Sequence, residues 1–229
     1  MADLFTATIL VSIFFAIATF ALKGLNILGI LSAFIMALVV VYKTNFNWLF
    51  IMLTFLLIGT AATRLSPSVK EKLNLQHDPR TWKNVIANGS VAVVAACFNS
   101  FPAFVGAIAA VTADTLSCEI GELYPSHPFM ITSLKPAPPG KDGAVSPLGE
   151  IAGILGGLSI GLTAYTLEVS PKNWNVFYIT FLAALVGTNF DSLLGATFET
   201  KGTLDKHSVN LLASLSGALT ALLAASLLP

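Results

Sequence analysis

Six stretches of this chain, residues 4–22, 26–42, 47–63, 147–168, 174–195 and 208–228, are apolar for close to the roughly 20 residues that cross the hydrocarbon core of a bilayer. Inside that core a backbone N–H or C=O finds no water, so each stretch must satisfy its own hydrogen bonds as a helix. The composition agrees: 55% of the residues are hydrophobic, 10% are charged, and the mean hydropathy of +0.80 lies well outside the range of soluble globules. The reading is an all-α polytopic transmembrane helix bundle. It forms one integral-membrane domain over residues 1–229, with no low-complexity linker or soluble appendage. A formal net charge of zero gives no case for nucleic acid as a partner or for attachment at a membrane surface.

Two further apolar segments, Asn84 to Cys97 and Phe101 to Thr115, are shorter and are parted by "FNSFP". They read as two short spans or as a re-entrant pair of half-helices lining a cavity, and the parity of the bundle is the same either way. Lys23, Arg64, Lys70, Lys72, Arg80, Lys83, Lys135, Lys141, Lys201 and Lys206 then fall on one side, and only Lys43 and Lys172 on the other. The positive-inside bias makes the first side cytoplasmic, with the 64–83, 117–146 and 200–207 loops there and both termini outside. No secretory signal peptide is expected, because "MADLF" lacks a basic n-region and the first apolar run is long enough to remain as a span.

Gly149, Gly153, Gly157 and Gly161 recur every four residues, with Gly156 beside them. That spacing puts them on one helical face, where a neighbouring backbone can approach closely. Two segments echo each other, "VTADTLSCEIG" and "GTNFDSLLGATFE", each setting Thr, Asp and Ser near the end of a span and Glu after them. Such similarity is compatible with two halves of a pseudo-symmetric site.

Ionisable residues at membrane depth are functional candidates, because an unpaired charge there costs several kcal/mol, on the order of 3 or more. In "GTNFDSLLGATFET", Thr188, Ser192, Gly195 and Glu199 form a stripe at about 100° per residue with Asp191 to its side. Asp191 and Glu199 are roughly 12 Å apart along a helix axis, so either Glu199 sits at the mouth of the site or the helix breaks between them. In "ADTLSCEIGE", Asp114, Ser117, Cys118 and Gly121 share a face, and Glu119 points away unless the helix ends nearby. Carboxylates converging from two elements suit Mg²⁺, which takes one or two carboxylates together with substrate phosphates. His77, His127 and His207 are isolated and have no zinc spacing.

Cations complete the pattern. "DPRTWKNVIANG" puts Asn84 and Asn88 on one face of a helix with Arg80 and Lys83 at its N-terminal end, a cradle for an anion. "SLKPAPPGKDGAVSP" carries Lys135 and Lys141 with Gly140 and Gly143 in a proline-stiffened loop, where backbone N–H groups can approach phosphate oxygens. It lacks the spacing of a Walker loop. Acids for a metal and cations for phosphate on one side point to phosphoryl or nucleotidyl transfer.

The segments "ADTLSCEIGELYPSHPFMITSLKPAPPGKDGAVSPLGEIAGILGG", "NVIANG" and "FDSLLGATFE" resemble the integral-membrane family that includes transmembrane protein 19 and the plastid phytyl-phosphate kinase, over roughly residues 20 to 228. More loosely, the pattern is similar to that of dolichol and phytol kinases, which use CTP. The resemblance implies a CTP-dependent prenyl-phosphate kinase that converts an isoprenoid monophosphate to its diphosphate. It carries over Asp114, Glu119, Lys135, Gly140, Gly143, Ser146, Asn84, Asn88, Asp191 and Glu199 as site residues.

In that expectation Asp114, Glu119 and Asp191 hold the metal. Lys135 and Lys141 with the glycine-rich backbone hold nucleotide phosphates, and Arg80, Asn84 and Asn88 orient the acceptor phosphate. Ser146, Ser192 and Glu199 complete the phosphate site. Two other readings use the same residues: a cytidylyltransferase making a CDP-linked lipid, and an ion-coupled transporter whose acids would lie near the bilayer midplane. The topology sets Cys97 and Cys118 near opposite faces of the bilayer, so both should be free thiols and a non-reducing gel should reveal no intramolecular crosslink between them.

Overall fold

The computed structural model describes residues 24–73, 75, 80–123, 128–167 and 174–228, together with separate positions between 6 and 20. The helices are α1 (Ile27–Lys43), α2 (Phe46–Thr63), the short α3 (Pro67–Lys72), α4 (Trp82–Cys97), α5 (Phe101–Gly121), α6 (Pro147–Thr166), α7 (Asn175–Leu194) and α8 (Lys206–Leu227). Two-residue strands, β1 (Phe129–Met130) and β2 (Ala144–Val145), pair antiparallel between α5 and α6 with Phe129 opposite Val145. Most of the expected first span, along with His77 and His127, lies outside the described residues.

Five of the described helices are long and apolar enough to cross a membrane: α2, α5, α6, α8, and α7 taken with the turn that follows it. The six-span expectation therefore stands at five among the described residues, and α1, at 17 residues, is the shorter apolar helix beside them. The segment expected to stop at Thr115 runs on to Gly121, a 21-residue helix that is full-length rather than a half-helix. In its continuation through "LSCEIG", Leu116, Glu119 and Gly121 are buried while Cys118 is exposed. The turn between α4 and α5 is tight, with Asn99 at φ 51°, a left-handed conformation that asparagine tolerates.

Helix starts are written into the sequence as caps. The side chains of Asn26, Asn45, Ser146 and Asp205 accept from the backbone N–H of Gly29, Asn47, Gly149 and Ser208. Hydrogen bonding from the Ser208 side chain, and then from its backbone N–H, holds the exposed Asp205 carboxyl below the usual carboxylate range.

α5 is the axis of the bundle. It packs against α2, α4, α6, α7 and α8, and Ala103 through Ala113 are all buried. Small residues permit the approach: a Cβ at Gly217 would stand 2.7 Å from Gly106 O, and one at Gly106 would stand 2.6 Å from Gly217 O. Gly149 and Gly153 meet the α5 backbone at Ser117 O and Ala113 O, whereas Gly157 and Gly161 meet α7 at Thr180. One glycine stripe thus serves two helix crossings. Outer faces carry the opposite chemistry, with Leu31, Ile35, Leu155, Leu162, Leu219 and Leu223 exposed to where lipid would lie.

Cys97 ends α4 and Cys118 lies in the last turn of α5, near opposite ends of a helix about 30 Å long, and both are free. A Gly106→Val substitution should overlap Ala221 and destabilise the bundle by about 2–3 kcal/mol. Thermal unfolding in detergent would read this as a lowered midpoint.

Candidate functional site

The C-terminal ends of α2, α5 and α7 and the N-terminal ends of α4, α6 and α8 gather at one end of the bundle. With the loop before α6 they enclose a cavity of about 340 Å³. Two electrostatic centres share it.

The first is an acidic pair. Asp114 from α5 and Asp191 from α7 bring their carboxylates within hydrogen-bonding range of each other, with Lys206 from the first turn of α8 facing both. Asp191 Oδ2 is buried and has no hydrogen-bond partner among the described residues. Two carboxylates this close repel unless a cation or a proton lies between them, and an orphaned oxygen in the same place leaves one coordination position open. The pair fits a hard divalent cation that takes two carboxylates and fills its shell with phosphate oxygens. Cys118, one turn on from Asp114, opens on the cavity with its Sγ 3.8 Å from Asp114 Oδ1.

The second centre is a buried ion pair. Lys70, from the short α3, inserts its ammonium against Glu119 and also donates to Thr63 O at 3.3 Å. Thr63 Oγ1 donates to Glu119 Oε1 at 2.7 Å, and Arg80 Nη2 stands 3.8 Å from that same oxygen. The side chains of Lys70 and Glu119 are 4% and 8% exposed, so the pair is buried. Burial pushes the Arg80 guanidinium below the usual arginine range, while Glu119 and then Asp114 push it back up. An arginine remains charged through such a shift.

Of the residues expected from sequence, Arg80, Asn84, Asn88, Asp114, Glu119, Gly140, Lys141, Gly143, Ser146, Asp191, Ser192 and Glu199 all line the cavity. Lys135 does not; it is exposed, and its carbonyl accepts from Met130 N at 2.9 Å. The loop folds on itself through β1 and β2, turning its 140–146 half inward and its Lys135 half outward. Glu119 lines the wall, yet it is held by Lys70 instead of joining Asp114 and Asp191, because the helix continues past it and its direction on α5 differs from that of Asp114. No group of three metal-ligating acids, histidines or cysteines occurs among the described residues.

Several expected ligands have structural work. Asn84 Oδ1 accepts from both Thr81 N and Thr81 Oγ1, closing the start of α4. Asn88 Oδ1 accepts from Asn210 Nδ2 on α8 at 3.0 Å. The Ser146 hydroxyl caps α6. Gly143, at φ 77°, lies against the backbone of Ala196, where a Cβ would stand 2.5 Å from its N. That glycine brings the loop onto the π-helical turn Gly195–Glu199, and this turn is the interruption between Asp191 and Glu199.

Residues that sequence reasoning passed over include Lys206, Asn210, Lys70, Thr63 and Asp142. Lys206 and Asn210 repeat on α8 the i,i+4 polar spacing that drew attention to Asn84 and Asn88 on α4. Nothing local marks Lys70, whose partner is 49 residues away.

The fold and this cavity define a polytopic helical membrane protein with a charged site at its helix ends. A family model described as "Integral membrane protein DUF92" matches residues 10–218, and the chain belongs to that family. It is 32% identical over 201 residues to an uncharacterized membrane protein of Methanocaldococcus jannaschii, covering 85% of this chain and 83% of that protein. An uncharacterized membrane protein of Synechocystis sp. is 27% identical over 210 residues, 86% of this chain and 81% of that one. Protein VTE6, chloroplastic, of Arabidopsis thaliana is 25% identical over 219 residues, 87% of this chain and 65% of that protein. No solved structure matches the chain.

Removing one partner of the desolvated pair strands the other charge, so Lys70→Met should cost about 3–5 kcal/mol of stability. In the double variant with Glu119→Gln most of that loss should return. A chemical-denaturation cycle on the four proteins measures the coupling.

Proposed function

We propose that the protein is a membrane-embedded prenyl-phosphate kinase, using CTP to convert an isoprenoid monophosphate to its diphosphate. The observation that carries this reading is the Asp114–Asp191 pair with its orphaned oxygen, facing Lys206 inside a cavity that also presents Arg80. Acids for a metal and separate cations for phosphates are what phosphoryl transfer requires of a protein, since the chemistry is mostly positioning and charge neutralisation. The motif resemblance to the plastid phytyl-phosphate kinase supports the acceptor class, and the similarity to CTP-using lipid kinases supports the donor. The excess of cations in the loops at this end supports a cytoplasmic opening.

In the reaction a phosphate oxygen of the prenyl monophosphate attacks the γ-phosphorus of CTP. The bond from that phosphorus to CDP breaks, and the products are prenyl diphosphate and CDP. Mg²⁺ held by Asp114 and Asp191 would neutralise charge on the donor phosphates; Glu119, bound to Lys70, is left out of that set. Lys206 and Lys141, both on the cavity wall, attract the nucleotide phosphates. Arg80 and Asn84, at the start of α4, orient the acceptor phosphate. No general base is needed, because the acceptor oxygen is already anionic near neutral pH.

Purified protein given Mg²⁺, CTP and geranylgeranyl or phytyl phosphate should form the diphosphate and CDP. Asp191→Asn should lower kcat by about 100-fold or more, roughly 3 kcal/mol of transition-state stabilisation. Lys135→Ala should stay within about 3-fold of the parent protein, because surface charges outside a site contribute little. A CDP-lipid and pyrophosphate as products would overturn the kinase in favour of cytidylyl transfer. No turnover of any prenyl phosphate would overturn both.

A further inference from the structure

Behind the polar cavity lies a second, smaller one of about 80 Å³, set between α1, α2 and α4. Its wall is hydrocarbon and methionine sulfur, with Ala33, Met36, Met52, Leu53 and Val85 among the lining residues. The exceptions are Arg80, Asn84 and Asn88, which line the charged cavity as well. The two spaces therefore meet at the residues assigned above to the acceptor phosphate. An anion at Arg80 would have this apolar recess directly beside it.

The size is informative. A cavity of about 150 Å³ admits one benzene ring, so 80 Å³, about half of that, takes a single five-carbon unit only with part of it projecting through the rim and has no room for two. Gly89, on α4 between the asparagines' face and the pocket, keeps the floor open: a Cβ there would press on Met36 Sδ at 2.9 Å. The rim residues Ala33, Met52, Phe55 and Leu56 are half-buried, so anything longer than the pocket leaves towards the bilayer hydrocarbon.

We propose that this pocket receives the first isoprene unit of the acceptor, the five carbons next to its phosphate, and no more of the tail. The enzyme then reads the branching of that unit and is indifferent to total chain length. The inference rests on the prenyl-phosphate reading above and adds the subsite that selects the acceptor.

Geranyl, farnesyl and geranylgeranyl monophosphates share a first unit, and their kcat/KM values, measured in detergent below saturation, should agree within about 3-fold. (2E,6E)-Octa-2,6-dienyl phosphate, which has geranyl's main chain and double bonds without its methyl branches, should fall by about 10-fold or more, the usual worth of a missing methyl in a fitted apolar pocket, as should saturated n-octyl phosphate. Ala33→Phe, filling the pocket, should impose a similar loss on all three prenyl substrates. Met52→Ala, enlarging it, should narrow the gap between geranyl and n-octyl phosphate. A prenyl phosphate bearing a diazirine on its first unit should label the helices carrying Met36 and Met52, read by peptide mass spectrometry. Turnover without such labelling, or kcat/KM rising with each added isoprene unit, overturns the pocket and leaves the kinase reading intact. Labelling at Met36 or Met52 without any turnover overturns the kinase reading and keeps the pocket.

Discussion

Everything in this bundle depends on how closely other helices can approach α5. In hydrocarbon there is no hydrophobic gain from pairing two apolar helices, so association rests on dense van der Waals contact. The α5 sequence supplies it with Gly106 and a run of alanines, and its neighbours answer with Gly217, Gly187, Gly149 and Gly153. Many leucines lie on the outer surfaces, where lipid replaces protein as the partner, while Leu49, Ile51, Ile108 and Ile160 fill the core. The close crossings do more than hold the bundle. Asp114 can meet Asp191 only because the backbones of α5 and α7 are brought together at Ala110 and Gly187.

Charge is handled in two different ways at the same end of the molecule. Lys70 and Glu119 neutralise each other in a dry contact, reinforced by Thr63 and Arg80, which leaves that carboxylate little capacity for a ligand. Asp114 and Asp191 are arranged against their mutual repulsion and retain an unsatisfied oxygen. The first arrangement docks α3 against the ends of α2 and α5 through its lysine. The second is costly to the fold, which supports the proposal that the pair binds a cation.

Much of this was legible in the chain. The apolar runs predicted α1, α2, α6, α7 and α8 within a few residues, and the glycine spacing on α6 predicted a close crossing, though not that it divides between α5 and α7. Polar residues near span ends identified most of the cavity wall, since few other reasons exist for Asp114, Asn88 or Asp191 to lie so deep. Lys135 and Lys141 looked equivalent in composition and are not. The hairpin formed by β1 and β2 gives the loop an inside and an outside, and hydrogen bonds between residues distant along the loop decide which lysine falls where. Gly143, read as room for a ligand, lines the cavity, and its missing Cβ also lets it lie against the backbone of Ala196 in the turn after α7.

The sequence by itself determined the solvent this protein folds in, the helical form of its spans, their caps, and the small residues at which they touch. Each of these follows from local chemistry: backbone groups without water, side chains capping nearby amides, and the absence of a Cβ. Only the tertiary structure decided which acid is free and which is neutralised. Glu119 and Asp114 are five residues apart on one helix, yet their surroundings come from Lys70 on one side and from Asp191 and Lys206 on the other. A carboxylate's role depends on the charges within a few ångströms of it, and those are supplied by segments that sequence distance does not reveal.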